Sequence, residues 1–257
     1  MAEALLSVKN LSIAFGGLKA VDGLTFEIEK GQIYGLIGPN GAGKTTVFNM
    51  ISQIYKPDTG DVIFDGKDLK KLNVHDIIEA GIARTFQNVE LFKGMTVLDN
   101  LLVGQHYKTK YSTIESIFLT RKVRREEERV RKNAIEILEF LGISQYAYNP
   151  AGMLPYGVQK LIELARALVA EPKLIILDEP AAGMNDTETK ELSDRIKMLR
   201  DKFNITVLMI EHDMGLVMNV CDKLTVLNFG KKISEGTPKE VQNDPIVVEA
   251  YLGEGVE

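Results

Sequence analysis

Gly38-Pro39-Asn40-Gly41-Ala42-Gly43-Lys44-Thr45-Thr46 follows the apolar run Gln32-Ile33-Tyr34-Gly35-Leu36-Ile37. After it, Val47, Met50, Ile51 and Ile54 recur at helical spacing. Strand, glycine loop and helix are therefore expected in that order. Residues Gly38 to Thr45 satisfy the pattern G-x-x-x-x-G-K-[ST] without a mismatch. Each residue type in it has a physical use. The glycines let the backbone wrap closely and turn its N–H groups inward around phosphates. Lys44 supplies a point charge for the terminal phosphates, and the Thr45 hydroxyl is a metal ligand. The opening of the following helix adds its positive dipole end to the same anion site.

Working outward, the first thirty residues alternate in β fashion: Leu6 and Val8, then Leu11, Ile13 and Phe15, then Leu24, Phe26 and Ile28. Asp58-Thr59-Gly60 and Asp65-Gly66 are turn signals around a short strand, Asp61-Val62-Ile63-Phe64. From about Val97 to Leu164 the pattern becomes mostly helical. Within it, Arg121 to Lys132 is a dense run of alternating charge, with Glu127–Arg131 and Glu128–Lys132 spaced for ion pairing. Val123, Val130, Ile137, Leu138 and Leu141 form its apolar stripe, so a long solvated helix is expected. The last third returns to α/β alternation. Leu174 to Leu177 and Ile205 to Ile210 are continuous apolar runs of the kind buried in a parallel sheet, and helical patterns at Thr187 to Arg200 and Met214 to Val220 follow them.

The 257 residues carry a net charge of −5, which argues against a general nucleic-acid coat and leaves room for a local phosphate groove. With 45% hydrophobic and 26% charged residues, the chain reads as globular, not disordered or coiled-coil. Its single cysteine, Cys221, rules out an internal disulfide framework and fits a reducing compartment. No segment approaches the roughly 18 continuous apolar residues of a membrane-spanning helix. The start, with Glu3 where a secretory leader is basic, is not expected to be a leader, and a soluble chain serving a membrane only through a partner is expected. His75, His106, His212 and Cys221 have no metal-ligand spacing, so no structural metal is expected.

Asp178, Glu179 and Pro180 close the apolar run at Leu177. Carboxylates at the carboxyl end of a buried strand stand where open α/β sheets bind ligands. Asp178 is placed to hold a metal through its water shell. Glu179 is placed to orient or deprotonate a water attacking the terminal phosphate. An acidic pair after a strand also serves as a helix N-cap, and only the Gly38 loop tips the reading toward chemistry.

Further strings stand in a fixed order around these two sites: Gln87, the segment Leu154-Pro155-Tyr156-Gly157-Val158-Gln159, the segment Ala182-Gly183-Met184-Asn185, and His212. Together they resemble the ATP-binding cassette (ABC) ATPases over essentially the whole chain. The resemblance implies an α/β P-loop NTPase core with an N-terminal antiparallel β subdomain and an inserted α-helical subdomain. Residues 1–95 and 165–257 would form the core with the β subdomain, and 96–164 the helical subdomain. It implies ATP and Mg2+ as cofactors, with Phe15 stacking on adenine and Gly38, Pro39, Asn40, Gly41, Ala42, Gly43, Lys44, Thr45 and Thr46 around the phosphates. Thr45, Gln87 and Asp178 would surround the metal. Glu179, His212, Gln87 and Lys44 would carry hydrolysis, with His212 on the γ-phosphate. Tyr156, Gly157 and Gln159 would cap the ATP of a second subunit, so that two nucleotides lie between two head-to-tail cassettes. Two residues depart from the family pattern. Pro155 replaces a serine whose hydroxyl bonds the γ-phosphate, and Asn185 replaces a common aspartate.

Ile82 to Phe92, Met95 to Val103, Asp178 to Asn185 and the tail Ala250-Tyr251-Leu252-Gly253-Glu254 are similar to the ATPase subunits of branched-chain amino acid importers. That likeness implies a second ABC ATPase subunit as homodimer or heterodimer partner. It further implies transmembrane permease subunits that dock near Leu91 and Phe92, and, indirectly, a substrate-binding protein. Nucleic acid is not among the expected partners. The place of work would be the cytoplasmic face of the cell membrane, as a peripheral subunit. A cassette for another cargo, such as urea or lipopolysaccharide, or a soluble cassette for iron–sulphur cluster assembly, stays open at this point.

Overall fold

The computed structural model describes residues 3–85, 89–105, 121–211 and 214–252. In chain order these form β1 (Ala4–Phe15), β2 (Leu18–Glu29), β3 (Ile33–Ile37), α1 (Lys44–Ile51), β4 (Thr59–Phe64), β5 (Lys67–Asp68), α2 (Asp76–Ala80) and β6 (Ile82–Arg84). Next come α3 (Val97–Gly104), α4 (Arg121–Phe140) and α5 (Tyr156–Leu168). The chain continues with β7 (Leu174–Asp178), α6 (Asp186–Phe203), β8 (Thr206–Ile210), α7 (Met214–Val220), β9 (Lys223–Asn228), β10 (Lys231–Gly236), α8 (Pro238–Gln242) and α9 (Pro245–Leu252).

Two compact units result: residues 1–84 with 173–257, and residues 85–172. The divisions fall at 84/85 and 172/173, while the change of composition lies at about 95 and 165. The difference is physical. Phe92 and the end of α5 bond within the second unit: Phe92 N–H donates to Asn100 Oδ1 at 2.9 Å and Gln105 Nε2 to the Val169 carbonyl at 2.8 Å.

The first unit holds two sheets. The N-terminal one is antiparallel, ordered β2-β1-β4-β5. Its alternating residues bury Leu6, Val8, Leu11, Val21, Leu24 and Phe26 on one side, as the period-two pattern requires. The second is ordered β10-β9-β3-β8-β7-β6, parallel from β9 to β6, with β10 antiparallel on the edge. Every residue of β3, β7 and β8 is buried, which explains why these strands read as unbroken apolar runs.

Register sets the level of the site. Leu36 and Asp178 both stand opposite Ile210, so β3 and β7 end at the same edge of the sheet. The glycine loop begins two residues beyond Leu36, and Glu179 one beyond Asp178.

The second unit is helical, as the sequence leads one to expect. Val123, Ala134, Ile137, Leu138 and Leu141 are buried along and just beyond α4. Its ion pairs differ from the expected ones: Arg129 meets Glu126 at 2.7 Å and Lys132 meets Glu136 at 3.7 Å, in place of Glu127–Arg131 and Glu128–Lys132. The Glu126 carboxylate raises the Arg129 guanidinium above its ordinary value. Arg131 instead lies 5.9 Å from the Tyr148 ring.

Candidate functional site

The glycine loop is shaped by what presses on it. Gly38 has φ +149°, and a Cβ there would sit 2.1 Å from the Leu227 carbonyl oxygen of β9. Gly43 has φ +101°, and its Cβ would sit 2.4 Å from the Ala20 carbonyl oxygen of β2. Side chains are excluded at the first and last glycines of the motif by neighbouring backbone, quite apart from any ligand. The turn between β9 and β10 supports the loop from behind: Gly230 N–H donates to the Ala42 carbonyl at 3.0 Å, and Asp22 N–H to the Gly230 carbonyl at 2.9 Å.

Helix α1 opens at Lys44 with Gly43 as its N-cap, no side-chain cap and no acidic residue in its first turn. Its N-terminal amides thus meet no carboxylate from its own first turn, which suits an anion. Lys44 is only 8% exposed, and its ammonium donates to the carbonyls of Gly38 and Pro39 at 2.6 and 2.8 Å. Asn40, Gly41 and Thr45 are exposed, Thr46 half-buried and Pro39 buried.

Asp178 ends β7, and its Oδ2 accepts from Arg84 Nη2 at 2.7 Å. Arg84 Nη1 donates to Asn49 Oδ1, on α1, at 2.8 Å. One guanidinium therefore touches both the phosphate-loop helix and the strand-end carboxylate. Glu179 takes φ +48°, a left-handed conformation that costs a non-glycine residue about 1–2 kcal/mol. Its amide is fixed by the Ile210 carbonyl at 3.0 Å, and Ala181 N–H donates to the buried Glu211 Oε1 at 2.7 Å. Such strain collects where a backbone must aim a functional side chain. Helix capping does not explain the acidic pair. The next helix, α6, begins seven residues later, and its N-cap is Asn185, in a reciprocal capping box with Glu188. The departure at Asn185 is thereby explained, since asparagine caps as well as aspartate.

Phe15, at the end of β1, is 45% exposed, with the Tyr55 ring edge-on at 5.3 Å. Gln87 and His212 lie outside the described residues. Sequence reasoning assigned no role to Arg84, Glu211, Tyr55 or Gly230. Arg84 was visible as a basic residue closing a short apolar run, but its partner is 94 residues away.

In the second unit, α5 begins at Tyr156, inside the segment Leu154–Gln159. Gly157 and Pro155 hide that first turn, because both are weak helix formers. Pro155 is the N-cap and makes no side-chain cap bond. Tyr156 is 52% exposed with the Lys160 ammonium 5.4 Å from its ring centroid, and Gly157 is exposed with open space around its Cα. Gln159 turns inward, its Nε2 donating to the Leu154 carbonyl at 2.7 Å.

Residues 21–182 match the family model described as ABC transporter, and residues 231–257 the one described as branched-chain amino acid ATP-binding cassette transporter. The chain is 44% identical over 254 residues to the high-affinity branched-chain amino acid transport ATP-binding protein BraF of Pseudomonas aeruginosa, covering 99% of this chain and 100% of that one. It is equally 44% identical, with the same coverage, to the protein of that description named LivG in Escherichia coli K12. Among solved structures it is similar to the ADP conformation of MJ1267, an ATP-binding cassette of an ABC transporter, with TM-score 0.85, 39% identity, and 98% and 100% of the two chains covered. The chain belongs to the ABC transporter family as one of its ATP-hydrolysing ATP-binding cassettes, in the branched-chain amino acid group.

Proposed function

We propose that this cassette hydrolyses ATP to drive import of branched-chain amino acids through membrane permease subunits, as a peripheral subunit on the cytoplasmic face of the membrane. The supporting observation is 44% identity across 99% of the chain to proteins described as branched-chain amino acid transport ATP-binding proteins.

Phe15 offers an exposed ring for adenine, and the loop from Gly38 to Thr46 wraps the phosphates with backbone N–H groups. Lys44 moves its ammonium from the loop carbonyls to the β- and γ-phosphates. The Thr45 hydroxyl in the first turn of α1 and the Asp178 carboxylate at the end of β7 are hard oxygen donors suited to magnesium with its retained waters. With Gln87 as a third residue, they would hold magnesium, which would supply positive charge to offset that of the phosphates. Glu179, aimed by its strained backbone, accepts a proton from the attacking water. His212, which follows Glu211 at the end of β8, steadies the γ-phosphate.

Tyr156, Gly157 and Gln159 open a helix whose N-terminal amides have no side-chain cap. They complete the pocket of a second cassette, so two ATP molecules bind between head-to-tail subunits and hydrolysis releases them, a ligand-biased two-state element. Gly157 and the helix dipole supply most of that contact in the absence of a serine at 155. Leu91 and the exposed Phe92 receive the permease. A substrate-binding protein presents the amino acid on the far side, and nucleic acid plays no part.

Reconstitution with a candidate permease and binding protein tests this reading. Leucine, isoleucine or valine should raise ATP turnover and accumulate inside vesicles. Turnover that ignores these amino acids but responds to urea or another solute would contradict the cargo.

A further inference from the structure

Arg84 is the last residue of β6, and it lies against the strand-end carboxylate from within the same unit. Its Nη2 donates to Asp178 Oδ2 at 2.7 Å, its Nη1 to Asn49 Oδ1 at 2.8 Å, and its guanidinium carbon stands 5.7 Å from the Phe48 ring centroid. The Arg84 and Asp178 side chains are 9% and 7% exposed. A guanidinium cannot shed its proton to escape burial, and anchors on α1 hold it in one orientation. Asp178 is therefore half of a fixed, neutral pair.

We propose that Arg84 is the resident counter-cation and positioning residue of Asp178, and that it makes uptake of the divalent cation conditional on nucleotide. A divalent cation arriving alone meets a carboxylate whose charge is already matched, with a guanidinium at contact distance that repels it. Phosphates bring the further negative charge that tips the balance. Meanwhile the bond to Oδ2 holds the carboxylate in one orientation. A cassette built this way does not hold its metal between nucleotides. The inference rests on the reading of Asp178 as the metal carboxylate.

The test is thermal melting and calorimetric titration with MgCl2 alone, on the wild type, Arg84→Gln, Arg84→Lys and the double variant Arg84→Gln with Asp178→Asn. The wild type should show no Mg2+-dependent shift without nucleotide, and a clear one with ADP. Arg84→Gln should bind Mg2+ without nucleotide at least about tenfold more tightly, the scale of a contact charge removed from a partly screened site. Arg84→Lys should restore the wild-type silence, and the double variant should lose the gain. Absence of any gain in Arg84→Gln overturns the proposal for Arg84, while the reading of Asp178 then stands if Asp178→Asn alone still weakens Mg2+-dependent ADP binding. A gain that persists in the double variant overturns both. Should Arg84→Gln fail to fold, the wild type still decides: Mg2+ binding without nucleotide as tight as with ADP overturns the proposal.

Discussion

Gly230 donates its N–H to the carbonyl of Ala42 at 3.0 Å, so the turn between β9 and β10 is the back wall of the phosphate loop. Gly230 has φ +77°, and a Cβ on it would stand 2.7 Å from the Ala20 carbonyl oxygen. Gly230→Ala should cost about 2 kcal/mol from left-handed strain and backbone crowding. Since a shift of Gly230 would disturb its N–H bond to the Ala42 carbonyl of the loop, ATP affinity should fall as well. Melting temperature and nucleotide titration check the two effects together. A variant that melts lower yet binds ATP normally would separate the turn from the loop.

The neighbouring Phe229 is 85% exposed with φ +46°. A two-residue hairpin loop with positive φ at both positions favours asparagine or glycine first. Phe229→Asn should therefore raise stability by roughly 0.5–1 kcal/mol, measured by denaturant unfolding, with ATP turnover unchanged.

Asn185→Asp should leave stability within about 0.5 kcal/mol, because either side chain accepts the Glu188 amide. Asn185→Ala should cost about 1 kcal/mol by removing the cap. Denaturation midpoints test the pair. Equal losses for both substitutions would mean that the aspartate position is not read as a cap.

Cys221 packs beside Gly35 and 3.5 Å from the Met209 sulphur. Burial pushes its thiol far above the ordinary range, with Asp222 and Glu211 adding to the shift. Thiolate is the reactive form, so a thiol reagent near neutral pH should label the native protein far more slowly than the unfolded one. Rapid labelling in the native state would contradict the packing.

Much of this architecture was legible because burial writes itself into pattern. The alternation of Leu6, Val8, Leu11 and Ile13 marks a half-buried antiparallel strand, and Leu174 to Leu177 marks one buried on both faces. The sequence reading assigned no strands to β9 and β10. The sheet-edge strand Lys231–Gly236 carries Lys231, Lys232 and Glu235, which mask its period. The first turn of α5 was obscured by Pro155 and Gly157. At the site, the residues that touch ligands sit in recognisable strings, whereas those that hold them do not. The Arg84–Asp178 pair, the Glu211–Ala181 bond and the Gly230 support each join segments whose proximity only the folded sheet creates.

Pro155 sits where a serine would cap α5. Pro155→Ser adds a hydroxyl at an N-terminus already supplied with free amides and a dipole. The expected change in ATP-driven association is less than about fivefold, below the full 1.5–3 kcal/mol of a hydrogen bond to a charged group. Sedimentation of the two proteins with ATP and EDTA or Mg2+ measures it. A gain of a hundredfold would show that the amides alone are a poor substitute.

Sedimentation of Glu179→Gln with ATP and Mg2+ tests the shared-nucleotide mechanism most directly. Removing the base while leaving the phosphate contacts should abolish turnover and trap a dimer holding two ATP molecules, which Lys44→Ala in the same background should dissolve. A Glu179→Gln protein that binds ATP and Mg2+ to saturation yet sediments as a monomer would contradict it.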